Sequence, residues 1–200
     1  EKRFSCRAFT DQQVEQEKFD ALVEEATRIN EETGLHFQIF GPRADGTVIN
    51  MSDKMFAGNP PCYAALVAKK DPVEEEKLGY YGERLVLLAQ TLGLNSCWVG
   101  LSFRKQPDQY QIANGEKLHC VIALGYGATQ GVQHLMRPME QFVKRNGTMP
   151  EWFKRGMEAA LLAPTAVHQQ KFEFELVDDH TVCARARFTL VGYGKMDLGI

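Results

Sequence analysis

Long apolar runs are missing from this sequence. No stretch approaches the roughly 18 consecutive apolar residues that a transmembrane helix needs, and the first residues lack the apolar core of a secretory signal peptide. Strong charge of either sign is missing too, because the net charge is −3 over 200 residues. A general basic field that would attract nucleic acid or an acidic membrane is therefore excluded, and any anion site must be a local group of cations. We expect a cytoplasmic protein.

Cysteine clusters and familiar catalytic motifs are also missing. The five cysteines are odd in number, widely spaced and free of any Cys-x-x-Cys pair, so neither a zinc site nor a disulfide framework is expected. No Gly-x-Gly-x-x-Gly motif follows a strand, and no Ser-His-Asp or metal-ligand group stands out. The sequence therefore predicts neither a Rossmann unit nor a metal centre.

What the sequence does contain is a series of amphipathic helices and apolar strands. Helices are predicted over about residues 14–30, 74–92 and 151–162, where apolar residues recur at steps of three and four. Strands are predicted over 35–40, 62–68 and 118–124, and alternation on both sides of Asp178-Asp179 predicts a hairpin. We expect a single domain over residues 1–200 with an α+β fold, in which helices pack on a sheet.

The basic start of the chain is a candidate anion site. Arg3, Ser5 and Arg7 alternate, so in an extended segment their side chains point to one side. Two guanidinium groups and a hydroxyl match the oxygens of a phosphate. The alternative is a solvated arm whose arginines pair with surface carboxylates.

A second candidate segment runs from Pro164 to Gln170. Pro164 stops the preceding helix, so backbone groups become available. The Thr165 hydroxyl and the Gln170 amide supply donors and acceptors that suit a polar ligand. His168 could add a hydrogen bond, or it could be a half-exposed histidine without a task.

A third candidate is the loop predicted after the second long helix. The loop has the sequence Leu-Asn-Ser-Cys-Trp-Val-Gly-Leu and ends at Gly100 and Leu101. Its small residues would let the main chain approach a ligand closely. Trp98 is alternatively a core aromatic.

Together these segments resemble the nitroreductase family. The start resembles the family's Arg-Arg-Ser-x-Arg-x-Phe opening, and the loop after the helix resembles its Ser/Thr-Cys-Trp-Ile/Val-Gly signature. The Pro164 segment resembles its Ala-Pro-Ser-x-x-Asn-x-Gln stretch, and Gly125-Tyr126-Gly127 with Arg137-Pro138 resembles its Gly-Tyr-Pro and Lys-x-Arg-x-Pro stretch, whose basic residues complete the phosphate site. Four positions depart from the family pattern, and the Pro164 segment lies over a hundred residues later than in ordinary members, as if the element order were permuted. The departures are Phe4, Leu135, His168 and Lys171.

The resemblance implies a nitroreductase-like mixed or antiparallel sheet, bound FMN and, as in most relatives, a homodimer. It implies a donor to the flavin from the backbone near Gly100 and Leu101, with no catalytic side chain. The implied FMN contacts are Arg3, Ser5, Arg7, Trp98, Val99, Gly100, Leu101, Arg137, Pro164, Thr165, Ala166, His168 and Gln170.

The function implied is hydride transfer from NAD(P)H through FMN to a nitroaromatic, quinone or similar acceptor by a ping-pong mechanism. Three alternatives stay open. The scaffold could serve another reductase, such as a dehalogenase, an ene reductase or a flavin reductase. It could be a flavin-binding redox sensor or storage protein without turnover, or it could have lost FMN.

Overall fold

The computed structural model describes residues 2–41, 60–101, 103, 109–132, 137–144 and 148–200. Within these ranges no helix combines the length and the apolar character needed to cross a membrane. The described residues contain four α-helices and seven strands. They are α1 (Gln16–Thr33), β1 (His36–Phe40), β2 (Cys62–Lys69), α2 (Pro72–Thr91), β3 (Asn95–Val99), β4 (Glu116–Gly125), β5 (Val143–Lys144), α3 (Glu151–Ala160), β6 (Phe172–Leu176), β7 (Val182–Ala186) and α4 (Gly194–Gly199).

The strands form two sheets. The larger is antiparallel throughout and has the order β1-β2-β4-β3, with the continuous apolar strands β2 and β4 in the middle. In the smaller sheet, of order β5-β6-β7, β5 runs parallel to β6, and β6 and β7 form the antiparallel pair predicted from their alternation. The expected α+β class, with mixed and antiparallel sheets packed by helices, is confirmed.

Strand β2 is apolar throughout because both of its faces are covered. Leu66 packs with α1 and α2 in one core cluster, whereas Tyr63 and Val67 pack on the opposite face with Cys6 and Phe9. Successive side chains of a strand point to opposite faces, so a strand between two apolar layers needs apolar residues at every position. The N-terminal segment thus belongs to the second layer, which brings it close to the sheet.

Helix α2 begins two residues earlier than predicted. Asp71 accepts a hydrogen bond from the Val73 amide at 2.7 Å, and Pro72 takes the first helical position, where its missing N–H costs nothing. The helix ends before Gly93, whose φ of +80° is the left-handed conformation that glycine adopts without strain.

Other parts of the fold also differ from the prediction, and helix α1 runs two to three residues later than predicted, over Gln16–Thr33. Helix α3 ends at Ala160 rather than at residue 162. The N–H groups of residues 162 and 163 donate to the carbonyls three residues earlier, 159 and 160, which is the spacing of a 3₁₀ turn rather than of an α-helix. Residues 95–99, predicted as a loop, form strand β3 along the edge of the larger sheet. Ser96, Cys97 and Val99 are buried in this strand. The polar residues in the five-residue run did not indicate a strand.

Candidate functional site

A cavity of about 220 Å³ lies where five separate parts of the chain meet. Its walls are the N-terminal segment, the end of β3 with the two residues that follow, the turn after α3, the C-terminal residues around α4, and Cys120 of β4. The N-terminal segment is held at β3 by a parallel bridge between Ser5 and Ser96 and by the Cys6 amide, which donates to the Ser96 carbonyl at 2.9 Å. Strand β3 therefore brings two sequence-distant candidate segments together.

Most of the residues singled out in the sequence line this cavity. Ser5 and Arg7 come from the N-terminal segment, and Pro164 lies more than 150 residues later, in the turn after α3. The remaining lining residues from the expected set are Trp98, Val99, Gly100, Leu101, Thr165 and Ala166. The turn meets Ser5 and Arg7 of its own chain, so these walls need no second subunit.

Arg3 does not line the cavity. Its Nε lies 3.4 Å from Glu83 Oε1, and only 10% of each of the two side chains is exposed. Its Nη2 donates at 3.4 Å to the carbonyl of Leu162, close to the turn after α3. In this structure the Arg3 charge is therefore directed at a buried carboxylate on α2.

Three further expected residues also stand away from the cavity lining. Arg137 is exposed, and Leu135, the position where a lysine was expected, lies outside the described residues. His168 is half-buried. Gln170 is 2% exposed, and neither polar atom of its side-chain amide has a hydrogen-bond partner among the described residues. A buried unpaired amide is costly, so Gln170 is an unexplained polar group beside the turn.

The turn after α3 has an unusual backbone. Val167, His168 and Gln170 have φ values of +47°, +55° and +45°, a left-handed region that residues other than glycine rarely adopt. The Thr165 hydroxyl accepts a hydrogen bond from the backbone N–H of Gln170 at 3.0 Å and so holds the turn closed. Conformations of this kind persist only where surrounding contacts fix them, and they concentrate at ligand-binding sites.

Those surrounding contacts come from the C-terminal segment, which the sequence did not mark as part of the site. Asp197 of α4 is 5% exposed, and its carboxylate accepts from the Ala166 amide at 2.9 Å and from Gln169 Nε2 at 2.6 Å. Met196 and Ile200 add apolar surface to the same wall. The sequence of this segment contains no motif that indicates a ligand.

Tyr193 joins this wall to the segment after β3. Its hydroxyl donates to the Gly100 carbonyl at 2.8 Å, and its own φ is +62°. A Cβ at position 100 would lie 2.7 Å from the Tyr193 ring, closer than real Cβ contacts come. The sequence explained Gly100 by close approach of a ligand, whereas in the structure the Tyr193 ring already requires glycine there.

The electrostatics of the cavity leave little reactive acid or base. Burial raises the pKa of the Cys97 thiol to about 11, so this thiol stays protonated at neutral pH. Burial also raises the pKa of Tyr193 and of Asp197, whose two hydrogen bonds only partly oppose the effect. Arg7 is the cation in the lining, and among the described residues its guanidinium has no ion-pair or hydrogen-bond partner. The cavity can bind an apolar ring and an anion, but its side chains do not form a nucleophile–base pair.

Comparisons with known proteins agree with this picture of the fold. A family model described as "Putative TM nitroreductase" matches residues 1–200. No curated protein sequence matches the chain. A nitroreductase crystal structure from Thermotoga maritima is similar to 99% of this chain and 76% of its own, with 21% identity and a TM-score of 0.68.

Two further structures are similar over smaller parts. An FMN-dependent nitroreductase from Clostridium difficile matches 67% of this chain and 88% of its own, with 23% identity and a TM-score of 0.52. A nitroreductase from Desulfovibrio desulfuricans in complex with FMN matches 70% and 90%, with 19% identity and a TM-score of 0.53. At these identities the structural likeness shows a shared fold.

Proposed function

This chain belongs to the TM nitroreductase family, and on that premise we propose that it is an FMN-dependent oxidoreductase that transfers hydride from NAD(P)H to a nitroaromatic, quinone or similar electron-poor acceptor. Two relatives of the same fold support FMN as the cofactor, since one is described as FMN-dependent and another was solved with FMN. Two others, from Clostridium acetobutylicum and Bacteroides thetaiotaomicron, carry NADH in their descriptions, which supports a nicotinamide donor.

The residues around the cavity fit a flavin. Its walls are mainly apolar, with Val99, Met196 and Ile200 among them, and suit an aromatic ring system. Arg7 offers a guanidinium for a phosphate, and Gln170 has a buried side-chain amide next to the turn; neither group has a partner among the described residues. A volume of about 220 Å³ is below the roughly 300–1,000 Å³ of pockets that enclose whole drug-sized ligands, so the cavity would enclose only part of FMN.

We assign the protein's own residues to binding and positioning. Arg7 and Ser5 would hold the phosphate-bearing part of the cofactor, and the Thr165 hydroxyl would contact its polar edge. The main chain at Gly100 and Leu101 would lie against the ring. The hydrogen bond from the Tyr193 hydroxyl to the Gly100 carbonyl fixes this part of the main chain. Arg137 remains in the proposal as a further phosphate contact, although it does not line the cavity.

When bound, FMN would supply the redox chemistry by accepting hydride from the nicotinamide and passing it to the acceptor. The chain has no Rossmann motif to hold the nicotinamide elsewhere. Donor and acceptor would therefore use the same opening in turn, beside the exposed side chains of Leu101 and Val167. Alternating use of one opening produces ping-pong kinetics.

The observation that carries this proposal is the convergence of Ser5, Arg7, Gly100 and Thr165 on one cavity. These residues come from three segments separated by about 60 to 90 positions, and each segment was selected from the sequence for its likeness to one family motif. A surface arm of solvated arginines would not bring them together.

The proposal is tested by an anaerobic absorption spectrum of the purified protein before and after NADH. We expect the oxidised-flavin bands to fade on addition of NADH and to return with a quinone or nitroarene. Initial rates at several acceptor concentrations should give the parallel double-reciprocal lines of a ping-pong mechanism. Fading without acceptor-driven recovery would favour a redox sensor, and a colourless protein that fails to bind added FMN would overturn the proposal.

The cytoplasmic location, the single domain and the homodimer expected from the sequence are separate proposals. The turn at Pro164 meets Ser5 and Arg7 within one chain, so these proposed contacts lie in a single subunit. Cell fractionation, limited proteolysis and sedimentation of the purified protein would test the three.

A further inference from the structure

A buried ionic cluster lies next to the cavity on its α2 side. The carboxylate of Glu83 receives a different partner at each oxygen: Arg3 Nε lies 3.4 Å from Oε1, and Trp98 Nε1 donates to Oε2 at 2.9 Å. Glu83 is 8% exposed. Of the three, only Trp98 reaches the cavity lining.

The orientation of the Trp98 ring is fixed from two directions. Glu83 holds the indole N–H, and Gly82, the preceding residue of α2, leaves the space that the six-membered ring fills. A Cβ at position 82 would lie 2.4 Å from Trp98 Cη2. The ring therefore has one packing position between α2 and the cavity.

Arg3 extends the cluster to the other walls. The segment that carries Arg3 leads directly into Ser5 and Arg7, and the Arg3 Nη2 also donates to the carbonyl of Leu162. Glu83 thus contacts, directly or through Arg3, the N-terminal segment, strand β3 and the chain just before the turn at Pro164. The first two are walls of the cavity, and the third leads directly into the wall that contains Pro164.

A buried carboxylate of this kind is expensive to keep. Desolvation raises the pKa of Glu83 above its usual range, and the nearby Arg3 charge and the Trp98 hydrogen bond only partly reverse the effect. Buried ion pairs often add little net stability over apolar residues of the same size, but removing one partner leaves the other charge buried and unpaired. The cost fits a role in positioning better than a role in stability.

We propose that Glu83 is a positioning residue for the flavin site, that Arg3 is its structural partner rather than a phosphate ligand, and that Arg7 supplies the phosphate contact of the N-terminal segment. The proposal rests on FMN binding as proposed above. It changes the role that the family resemblance implied for Arg3, because the Arg3 guanidinium is directed at Glu83 and Leu162 and is absent from the cavity lining.

The first test compares FMN with riboflavin, which lacks the phosphate. Dissociation constants are measured by flavin fluorescence for the wild type, Arg3→Ala and Arg7→Ala. The ratio of the riboflavin constant to the FMN constant isolates the phosphate contact. We expect Arg7→Ala to lower this ratio by about tenfold or more, as loss of a charge-assisted hydrogen bond implies. Arg3→Ala should weaken both flavins by the same factor and leave the ratio within about twofold of the wild-type value.

The second test needs no flavin. Trp98 and Trp152 are the two tryptophans of the chain, so Trp152→Phe leaves Trp98 as the single fluorescent indole. In this background Arg3→Ala and Glu83→Ala should shift the Trp98 emission, because the indole loses its hydrogen-bond partner or that partner loses its anchor. Glu83→Gln keeps an oxygen for the indole N–H and should retain the wild-type emission more closely than Glu83→Ala. Glu83→Gln and Arg3→Ala keep the test informative if Glu83→Ala does not fold.

The outcomes separate this proposal from the function on which it rests. A phosphate ratio that falls as far in Arg3→Ala as in Arg7→Ala would make Arg3 a phosphate ligand and overturn the proposal. Unchanged Trp98 emission in both Glu83→Ala and Arg3→Ala would overturn the positioning role. If neither flavin binds the wild-type protein, the proposed function fails, and the assignment of Arg3 and Arg7 to it fails with it, whatever the tryptophan emission shows.

Discussion

The contact between α4 and α2 offers a way to disturb the site without touching its lining. Gly79 lies on the buried face of α2, and a Cβ at this position would lie 2.1 Å from the Met196 carbonyl oxygen and 3.0 Å from the Gly199 Cα. Gly199 makes the reciprocal contact, since its own Cβ would lie 2.0 Å from the Glu76 carbonyl. The two backbones therefore touch directly, and Gly79→Ala must push α4 away.

The structure gives the size of this effect. Ordinary contact begins at 3.4 Å, so the Met196 carbonyl must move by about 1.3 Å, and backbone of this kind does not yield as a side chain would. Overpacking costs roughly 1–3 kcal/mol, and alanine returns about 1 kcal/mol of helix propensity, so we expect a net loss of about 1 kcal/mol. For a chain of this length that is a melting temperature lower by about 2–4 °C.

Gly156→Ala is the matched control. Gly156 lies within α3, and a Cβ there has no heavy atom within 4 Å, so the same substitution should stabilise by about 0.5–1 kcal/mol. The assay is thermal and denaturant unfolding of both variants, with FMN titration of each. Because α4 supplies Asp197 and Met196 to the cavity, Gly79→Ala should also weaken FMN binding, and Gly156→Ala should not. Equal stability and equal FMN affinity of the two variants would refute the contact.

Three other predictions concern single residues. Because burial raises the pKa of Asp197, its contribution to stability is complete below the unfolded pKa of about 3.9 and is lost as pH rises through the folded pKa. The Asp197→Asn variant should therefore gain stability relative to the wild type over that pH interval. Unfolding free energies of the variant and the wild type that change in parallel with pH would contradict this. At pH 8, mass spectrometry should find iodoacetamide on the half-buried Cys183 before the buried Cys97, and rapid loss of the Cys97 thiol would show that the cavity thiol is not desolvated. Leu124→Ala removes a side chain that is fully buried in β4 and should cost about 2–5 kcal/mol in urea unfolding, whereas a cost below about 1 kcal/mol would place Leu124 outside the core.

The sequence predicted those parts of the fold that depend on local periodicity. The helices α1, α2 and α3, the central strands and the β6–β7 hairpin were expected near their observed positions, because each repeats apolar residues at the spacing of its secondary structure. Strand β3 was missed because Asn95 and Ser96 interrupt its apolar character, and its pairing with β4 is a tertiary effect. The same holds for β5, a two-residue strand that exists only beside β6.

The candidate site was predictable where a motif carries its own pattern. Ser5, Arg7, Gly100 and Thr165 were selected by family-like motifs, and the structure places them around one cavity. The C-terminal wall could not be predicted, because Tyr193 and Asp197 act through contacts with residues some 90 and 30 positions away.

The role of Arg3 was not readable from the sequence either. Alternation placed Arg3 with Ser5 and Arg7, but its guanidinium meets Glu83, a residue 80 positions along the chain that stands in an ordinary amphipathic helix. The partner of a long side chain is decided by tertiary structure rather than by the residues beside it.

The most direct measurement of the central claim is a crystal structure of this protein grown with FMN. The ring system should lie in the cavity, against Gly100, Ala166 and Tyr193, with the phosphate within hydrogen-bond distance of the Arg7 guanidinium. An FMN bound on another surface, or a phosphate held by Arg3 while Arg7 points to solvent, would contradict the account.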